Sequence, residues 1–236
     1  MKETAKDFFD RESSRYKEFI LTRDFVSSLR GMIIPLLRGS VLDIGSGCVA
    51  DFQDGPFDLY IAMDISLGML MGLSEKGKAR AVCGDATALP FGEGSFDVLI
   101  FRAVLHHLSP NGMPERGMNE RMRQVFSEAK KLLRPDGRVL VVEPCLPLLL
   151  EGLEEMFSPL IRWIMRLLGL PYVFIFSSRR LSSLLREERW DSVQVRPVQG
   201  AGKKWDWIIP ILGLPFLKIP RWLSPSKVYL IEAVKR

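Results

Sequence analysis

The chain has 236 residues, 47% hydrophobic and 26% charged, and its lysines and arginines outnumber its acids by five. That is ample for one large domain with a real core, or one domain with a lid. So modest a basic excess, with no basic-aromatic module, argues against a nucleic-acid-binding protein, and two histidines without a cysteine or carboxylate cluster at ligand spacing argue against a metal site.

Residues 1–38 read as helical, with Phe8, Phe9, Tyr16, Phe19 and Ile20, then Phe25, Val26, Leu29, Ile33 and Leu36, at roughly helical spacing. The segment is charged at its start and has no apolar leader core, so a cytoplasmic location is expected. Gly39-Ser40 punctuates before a first strand at 41–44. That strand runs into Asp43-Ile44-Gly45-Ser46-Gly47, an acid followed by two closely spaced glycines. Glycine allows a sharp bend and lets a ligand approach the main chain. A second strand, 59–64, ends in Asp64, nineteen residues after Gly45. An acid there is placed to accept hydrogen bonds from ribose hydroxyls, which suggests an adenosine-containing cofactor. Taken alone, the glycine pattern is equally compatible with a turn that binds nothing.

A helix is expected over 66–76 and a third strand over 80–83, ending in Gly84-Asp85-Ala86. A fourth strand spans 96–101 and is followed by Arg102, Ala103 and the pair His106-His107. Residues 109–118 read as a loop, 119–134 as a helix and 138–143 as a fifth strand ending in Glu143. Strand–helix alternation of this kind points to a parallel sheet covered on both faces. Stretches 192–198 and 227–234 alternate like strands and would complete it. Cys48, Cys83 and Cys145 fall at predicted strand ends and are expected as small buried thiols.

The succession over residues 38–145 resembles the class I S-adenosylmethionine-dependent methyltransferases, in particular their small-molecule and lipid branch. The resemblance implies a Rossmann-like, doubly wound, seven-stranded and mostly parallel sheet whose last strand is antiparallel. It implies S-adenosylmethionine as cofactor. Asp43, Gly45, Ser46 and Gly47 would hold the methionine portion, Asp64 the ribose, Ile65 the adenine face, and Asp85 and Ala86 the adenine edge. Arg102 and Ala103 would line the methionine end, and Tyr16 would close over it. A histidine just past the fourth strand, His106 or His107, has a pKa suited to proton removal from the acceptor; a structural hydrogen-bonding role is the alternative. Two features depart from the family: Val49 stands where a third glycine is frequent, and the short stretch Cys48–Pro56 leaves room for a first helix of barely two turns.

The chain is expected to be a single domain over 1–236. It would comprise an N-terminal helical cap (1–38), a cofactor-binding core (39–145), an apolar lid (146–190), and final strands (191–236) interrupted by an apolar insertion at 203–223. No stretch of 146–190 reaches the length without charges that a membrane span requires. The insertion holds Trp205, Trp207 and Trp222, three prolines and flanking lysines and arginines. That composition fits either a buried insertion or a patch at the inner face of a membrane. The leading reading is methyl transfer to a small, hydrophobic or lipid-like acceptor such as a quinone or isoprenoid precursor. The alternatives are a non-catalytic membrane-associated protein of the same fold and a nicotinamide-dependent oxidoreductase. The absent Tyr-x-x-x-Lys pair and the Gly84-Asp85-Ala86 turn argue against the last.

Overall fold

The computed structural model describes residues 6–7, 9–11, 13, 25–48, 51–71, 73, 79–108, 115–167, 172–198, 205–207, 218–220 and 226–236. In chain order, α1 (Phe25–Ile33) leads through a short 3-10 turn to β1 (Ser40–Ile44), then β2 (Leu59–Asp64), α2 (Leu67–Leu70), β3 (Ala79–Cys83) and β4 (Phe96–Arg102). α3 (Glu115–Leu132), β5 (Leu133–Cys145), α4 (Leu148–Leu167), α5 (Ser178–Glu187) and β6 (Asp191–Pro197) follow. The last elements are β7 (Trp205–Trp207), β8 (Lys218–Pro220) and β9 (Lys227–Val234).

Seven strands form one sheet in the order β3-β2-β1-β4-β5-β9-β6. β1 to β5 pair in parallel, and β9 runs antiparallel to both β5 and β6. β7 and β8 form a separate antiparallel pair. The expected Rossmann-like sheet, including its antiparallel final strand, is what the chain builds.

The near-continuous apolar runs of β1 and β4 follow from burial on both faces. Leu42, Ile44, Leu99 and Phe101 point to one side, where they join the core that holds Met118, Met122, Val125, Phe126 and Ala129 of α3. Those five positions recur at helical spacing and make one stripe. Val41, Val98 and Ile100 point to the other side, into a core shared with Leu29 and Ile33 of α1. On the first side Ser177 caps α5 by accepting from the Arg180 amide at 3.1 Å, and Leu181, Leu184 and Leu185 are buried there.

Several boundaries differ from expectation. Helix 66–76 contracts to α2, four residues capped by Ser66, with Glu75 to Lys78 outside the described residues. Residues 51–56 form turns in place of a short first helix. α3 begins at Glu115, inside the stretch read as a loop, and β5 begins at Leu133, five residues early, because Leu133 pairs with Phe96 before a register shift. Cys48 and Cys145 are buried as expected, whereas Cys83 is exposed, because β3 is the sheet's edge strand. Within the segment read as a lid, α4 buries Glu151, Glu154, Ser158 and Met165 and turns most of its other large apolar side chains outward.

The strand order reverses between β1 and β4. In open parallel sheets the carboxyl ends of strands flanking such a reversal leave a crevice where ligands bind. Asp43, the glycine turn, Asp64, Arg102 and Glu143 all stand at that end.

Candidate active site

The turn after β1 is shaped by two glycines in the left-handed region, Gly45 at φ 71° and Gly47 at φ 64°. The amides of Gly45 and Ser46 both donate to the Met63 carbonyl, at 2.8 and 3.1 Å, which ties the turn to the end of β2. A Cβ at Gly45 would stand 2.6 Å from the Val104 Cβ, whereas one at Gly47 would meet nothing within 4 Å. Gly45 therefore allows the turn to pack against the segment after β4. Beside Gly47 the chain leaves room.

Asp64 closes β2 and faces the same turn. Its Oδ2 accepts from the Gly47 amide and its Oδ1 from the Ser66 amide, both at 2.9 Å. Burial raises its pKa, and these amide donors oppose the rise. Each oxygen keeps accepting capacity for a hydroxyl. Ile65 beside it is 37% exposed although apolar. On the next strand Asp85 accepts from the Thr87 amide and hydroxyl, both at 2.8 Å on Oδ1. It thus serves as a turn former while Oδ2 has no contact among the described residues. Ala86 is buried behind it.

Asp43 is fully buried. Its Oδ2 accepts from the Tyr60 hydroxyl at 2.6 Å and lies 3.6 Å from the Arg102 guanidinium. Its Oδ1 has no hydrogen-bond partner among the described residues. Burial pushes the carboxyl up to about 6, with Arg102 and Tyr60 pulling the other way. Arg102 also pairs with the Asp51 carboxylate and donates to the Ser46 carbonyl, and its guanidinium lies 5.6 Å from the Phe52 ring centroid. It braces the glycine turn from beneath. Ala103 follows at φ 50°, a left-handed conformation that costs a non-glycine residue about 1–2 kcal/mol. Its amide donates to the Val142 carbonyl at 2.8 Å.

Glu143 organises the segment after β4. Its Oε1 accepts from the amides of Val104 and Leu105 at 2.7 and 2.8 Å, and its Oε2 lies 2.6 Å from His106 Nδ1. A carboxylate so placed favours the tautomer with the proton on Nδ1, which leaves Nε2 as an acceptor. His106 and His107 stack with ring centroids 4.0 Å apart. Desolvation holds His107 well below the usual imidazole range, and the neighbouring His106 adds to the effect. His107 therefore stays neutral, its ring edge against Phe9 at 4.9 Å.

The structure thus brings Asp43, Gly45, Ser46, Gly47, Asp64, Ile65, Arg102 and Ala103 to one end of the sheet, with Asp85 and Ala86 on the neighbouring strand end. Tyr16 lies outside the described residues. Three participants, Asp51, Tyr60 and Asp10, escaped the sequence reading, and a fourth, Glu143, was seen there only as the end of the fifth strand. Asp51 and Tyr60 hold Arg102 and Asp43. Glu143 is a buried anchor at the end of β5. Asp10 Oδ1 accepts from the Ser66 hydroxyl at 2.5 Å and the Gly68 amide at 3.1 Å. Those bonds and one from Lys6 bring its carboxyl down to about 2. Only Tyr60, a polar-tipped residue in an apolar strand, carried a sequence signal.

These residues suit the cofactor the resemblance implies. Asp43 Oδ1 is a buried acceptor lacking a donor, which an ammonium group would supply. Asp64 and Asp85 offer acceptors for hydroxyls and an exocyclic amine, Ile65 offers an apolar face, and Gly47 offers main chain without a side chain in the way. A predominantly acidic lining matches a cationic sulfonium.

A family model described as a methyltransferase domain matches residues 42–141. A protein of Encephalitozoon cuniculi assigned as a methyltransferase is 39% identical over 131 residues, covering 53% of this chain and 58% of that one. The chain therefore spans little more than half of that relative. A demethylmenaquinone methyltransferase of Roseiflexus castenholzii is 29% identical over 199 residues, 75% of this chain and 79% of the relative. Among solved structures, 1,6-didemethyltoxoflavin-N1-methyltransferase of Burkholderia thailandensis, with bound S-adenosylhomocysteine, superposes at TM-score 0.62 with 17% identity. The match covers 98% of this chain and 86% of that one, and shows the shared fold.

Proposed function

We propose that the chain is a class I S-adenosylmethionine-dependent methyltransferase, with S-adenosylmethionine as cofactor, and that it methylates a small, hydrophobic or lipid-like acceptor of the quinone or isoprenoid kind. The observation that carries the transfer chemistry is the buried His106–Glu143 pair, which stands beside the acid-and-glycine crevice. The apolar character of α4 and of residues 203–223, and the similarity to the Roseiflexus demethylmenaquinone methyltransferase, support the class of acceptor.

When bound, the cofactor supplies an activated methyl group on a good leaving group, so the protein's tasks are alignment, exclusion of water and proton removal. Asp64 holds the ribose hydroxyls against the glycine turn. Asp43 takes the methionine ammonium, with Tyr60 and Arg102 fixing its other oxygen. Ile65 would pack the adenine face, Asp85 would accept from its amine, and the Ala86 amide would donate to the ring edge. Glu143 keeps the His106 proton on Nδ1, so Nε2 acts as base toward an acceptor hydroxyl or acidic carbon. The whole of 1–236 acts as one domain in this reading. It works in the cytoplasm, with residues 203–223 touching the inner face of the membrane.

The test is transfer of labelled methyl from S-adenosylmethionine to lipid and quinone fractions of the host, with mass spectrometry of the product. A labelled apolar product is expected. Label appearing only in water-soluble metabolites would overturn the acceptor class.

A further inference from the structure

α4 is an amphipathic helix mounted the wrong way round for a soluble protein. Leu149, Leu153, Met156, Phe157, Leu160 and Trp163 are between 41% and 77% exposed. At 100° per residue these positions fall within an arc of about 120°, as wide as the stripe that normally faces a core. The opposite arc carries Glu151, Glu154, Ser158 and Met165, all buried. Polar contacts hold the helix down. Arg180 of α5 reaches Glu151 and Glu155 at 3.3 Å each while donating to Asn119 at 2.8 Å, and Glu154 accepts from the Ile175 amide at 3.4 Å. A helix of 20 residues is about 30 Å long, so the apolar arc is a contiguous surface, larger than isolated exposed residues explain.

The charges say what covers it. All three acids of α4 are buried or paired to Arg180, so its outward side presents no free negative charge. Arg166 is exposed at its C-terminal end, about 60° beyond the apolar arc at 100° per residue, and the chain's lysines and arginines outnumber its acids by five; Arg162 lies on the inner side, over the Tyr172 ring at 4.8 Å. An apolar face with tryptophan and a cationic edge matches an anionic lipid surface. No helix among the described residues is long and apolar enough to cross a membrane, so α4 would lie on the surface.

We propose that α4 docks the protein, apolar face down, on an anionic membrane and delivers an acceptor from the lipid phase to the site. The delivery half rests on the methyltransferase reading; the docking half does not. Residues 172–177 link the two regions. The Ile175 amide bonds Glu154 of the helix, and the neighbouring Phe174 amide donates to the His106 carbonyl at 3.4 Å.

The experiment is flotation of the full chain with vesicles of phosphatidylcholine alone or with about one third phosphatidylglycerol. S-adenosylhomocysteine binding is measured in parallel. The parent is expected to float with the anionic vesicles. Leu153→Ser/Phe157→Ser/Leu160→Ser removes exposed apolar area and should cut partitioning at least ~10-fold, with S-adenosylhomocysteine affinity unchanged. Arg166→Glu, which touches no core, should weaken binding to anionic vesicles and not to neutral ones. A parent that stays unbound with both vesicle types overturns the proposal. So does a triple variant that floats like the parent, or a loss that follows Trp205→Ser/Trp207→Ser in its place. A parent dimer in sedimentation that the triple variant dissociates, without flotation, would assign the face to a second copy and also overturn it. Flotation without S-adenosylhomocysteine binding would sink the methyltransferase reading and leave the docking surface standing.

Discussion

Three acids make different predictions because their surroundings differ. Burial pushes Glu154 up to about 8 from an ordinary 4.5. Between those values the native chain holds a proton that the unfolded chain has released, so this group's stabilising contribution is full below about pH 4.5 and is lost as pH rises through 8. At roughly 1.4 kcal/mol per unit, the penalty above that window reaches a few kcal/mol. Glu154→Gln should therefore raise the melting temperature at pH 9 more than at pH 5, and flatten its pH dependence. Asp43 shifts in the same sense, to about 6, with two opposed consequences. Its contribution to stability falls as pH rises from about 4 to 6. Affinity for S-adenosylhomocysteine should instead fall as pH drops through 6, because a protonated Asp43 no longer attracts an ammonium. Calorimetric titration between pH 5 and 7.5 checks this, with Asp43→Asn expected to remove the dependence. At Asp64, replacement by alanine should weaken the same ligand by about 1–3 kcal/mol, the cost of unpaired hydroxyls.

The turn after β1 and the segment after β4 work as one element pair. Gly45→Ala would place a methyl 2.6 Å from the Val104 Cβ at φ 71°. It should lower both the melting temperature and ligand affinity. Gly47→Ala meets no atom within 4 Å among the described residues. It should cost only the left-handed backbone strain, about 1–2 kcal/mol, while reducing affinity because its methyl enters the cofactor's space. On the other segment, His106→Gln should lower kcat by about 10²-fold or more, with S-adenosylhomocysteine affinity retained. Glu143→Gln should shift the pH profile of kcat, because an amide does not fix the histidine proton as a carboxylate does. It should also loosen the segment, since the Val104 and Leu105 amides lose a charged acceptor.

Across the whole molecule, the parallel strands were legible because full burial writes continuous apolar runs, and the glycine turn because its backbone tolerates few other residues. β5 was read short because Arg134-Pro135-Asp136-Gly137 looks like a turn, yet pairing with Phe96 begins before it. Asp10, Asp51 and Glu143 were missed as anchors because each acts through partners distant in sequence, at separations of 56, 51 and 37 residues. α4 misled for another reason. Its composition announced an apolar segment, but composition does not say which side of a helix turns inward, and only contacts with Arg180 and Ile175 reveal that the acidic side is the inner one. The sheet's order has its own effect. β9 lies between β5 and β6, and its Glu232 bridges Arg138 and Arg196 at 2.9 and 3.0 Å. During synthesis β6 therefore leaves the ribosome with no neighbour to pair with, and waits until residues 227–234 have been translated. The nascent chain is thus exposed to chaperones and proteases at that edge until its final strand arrives.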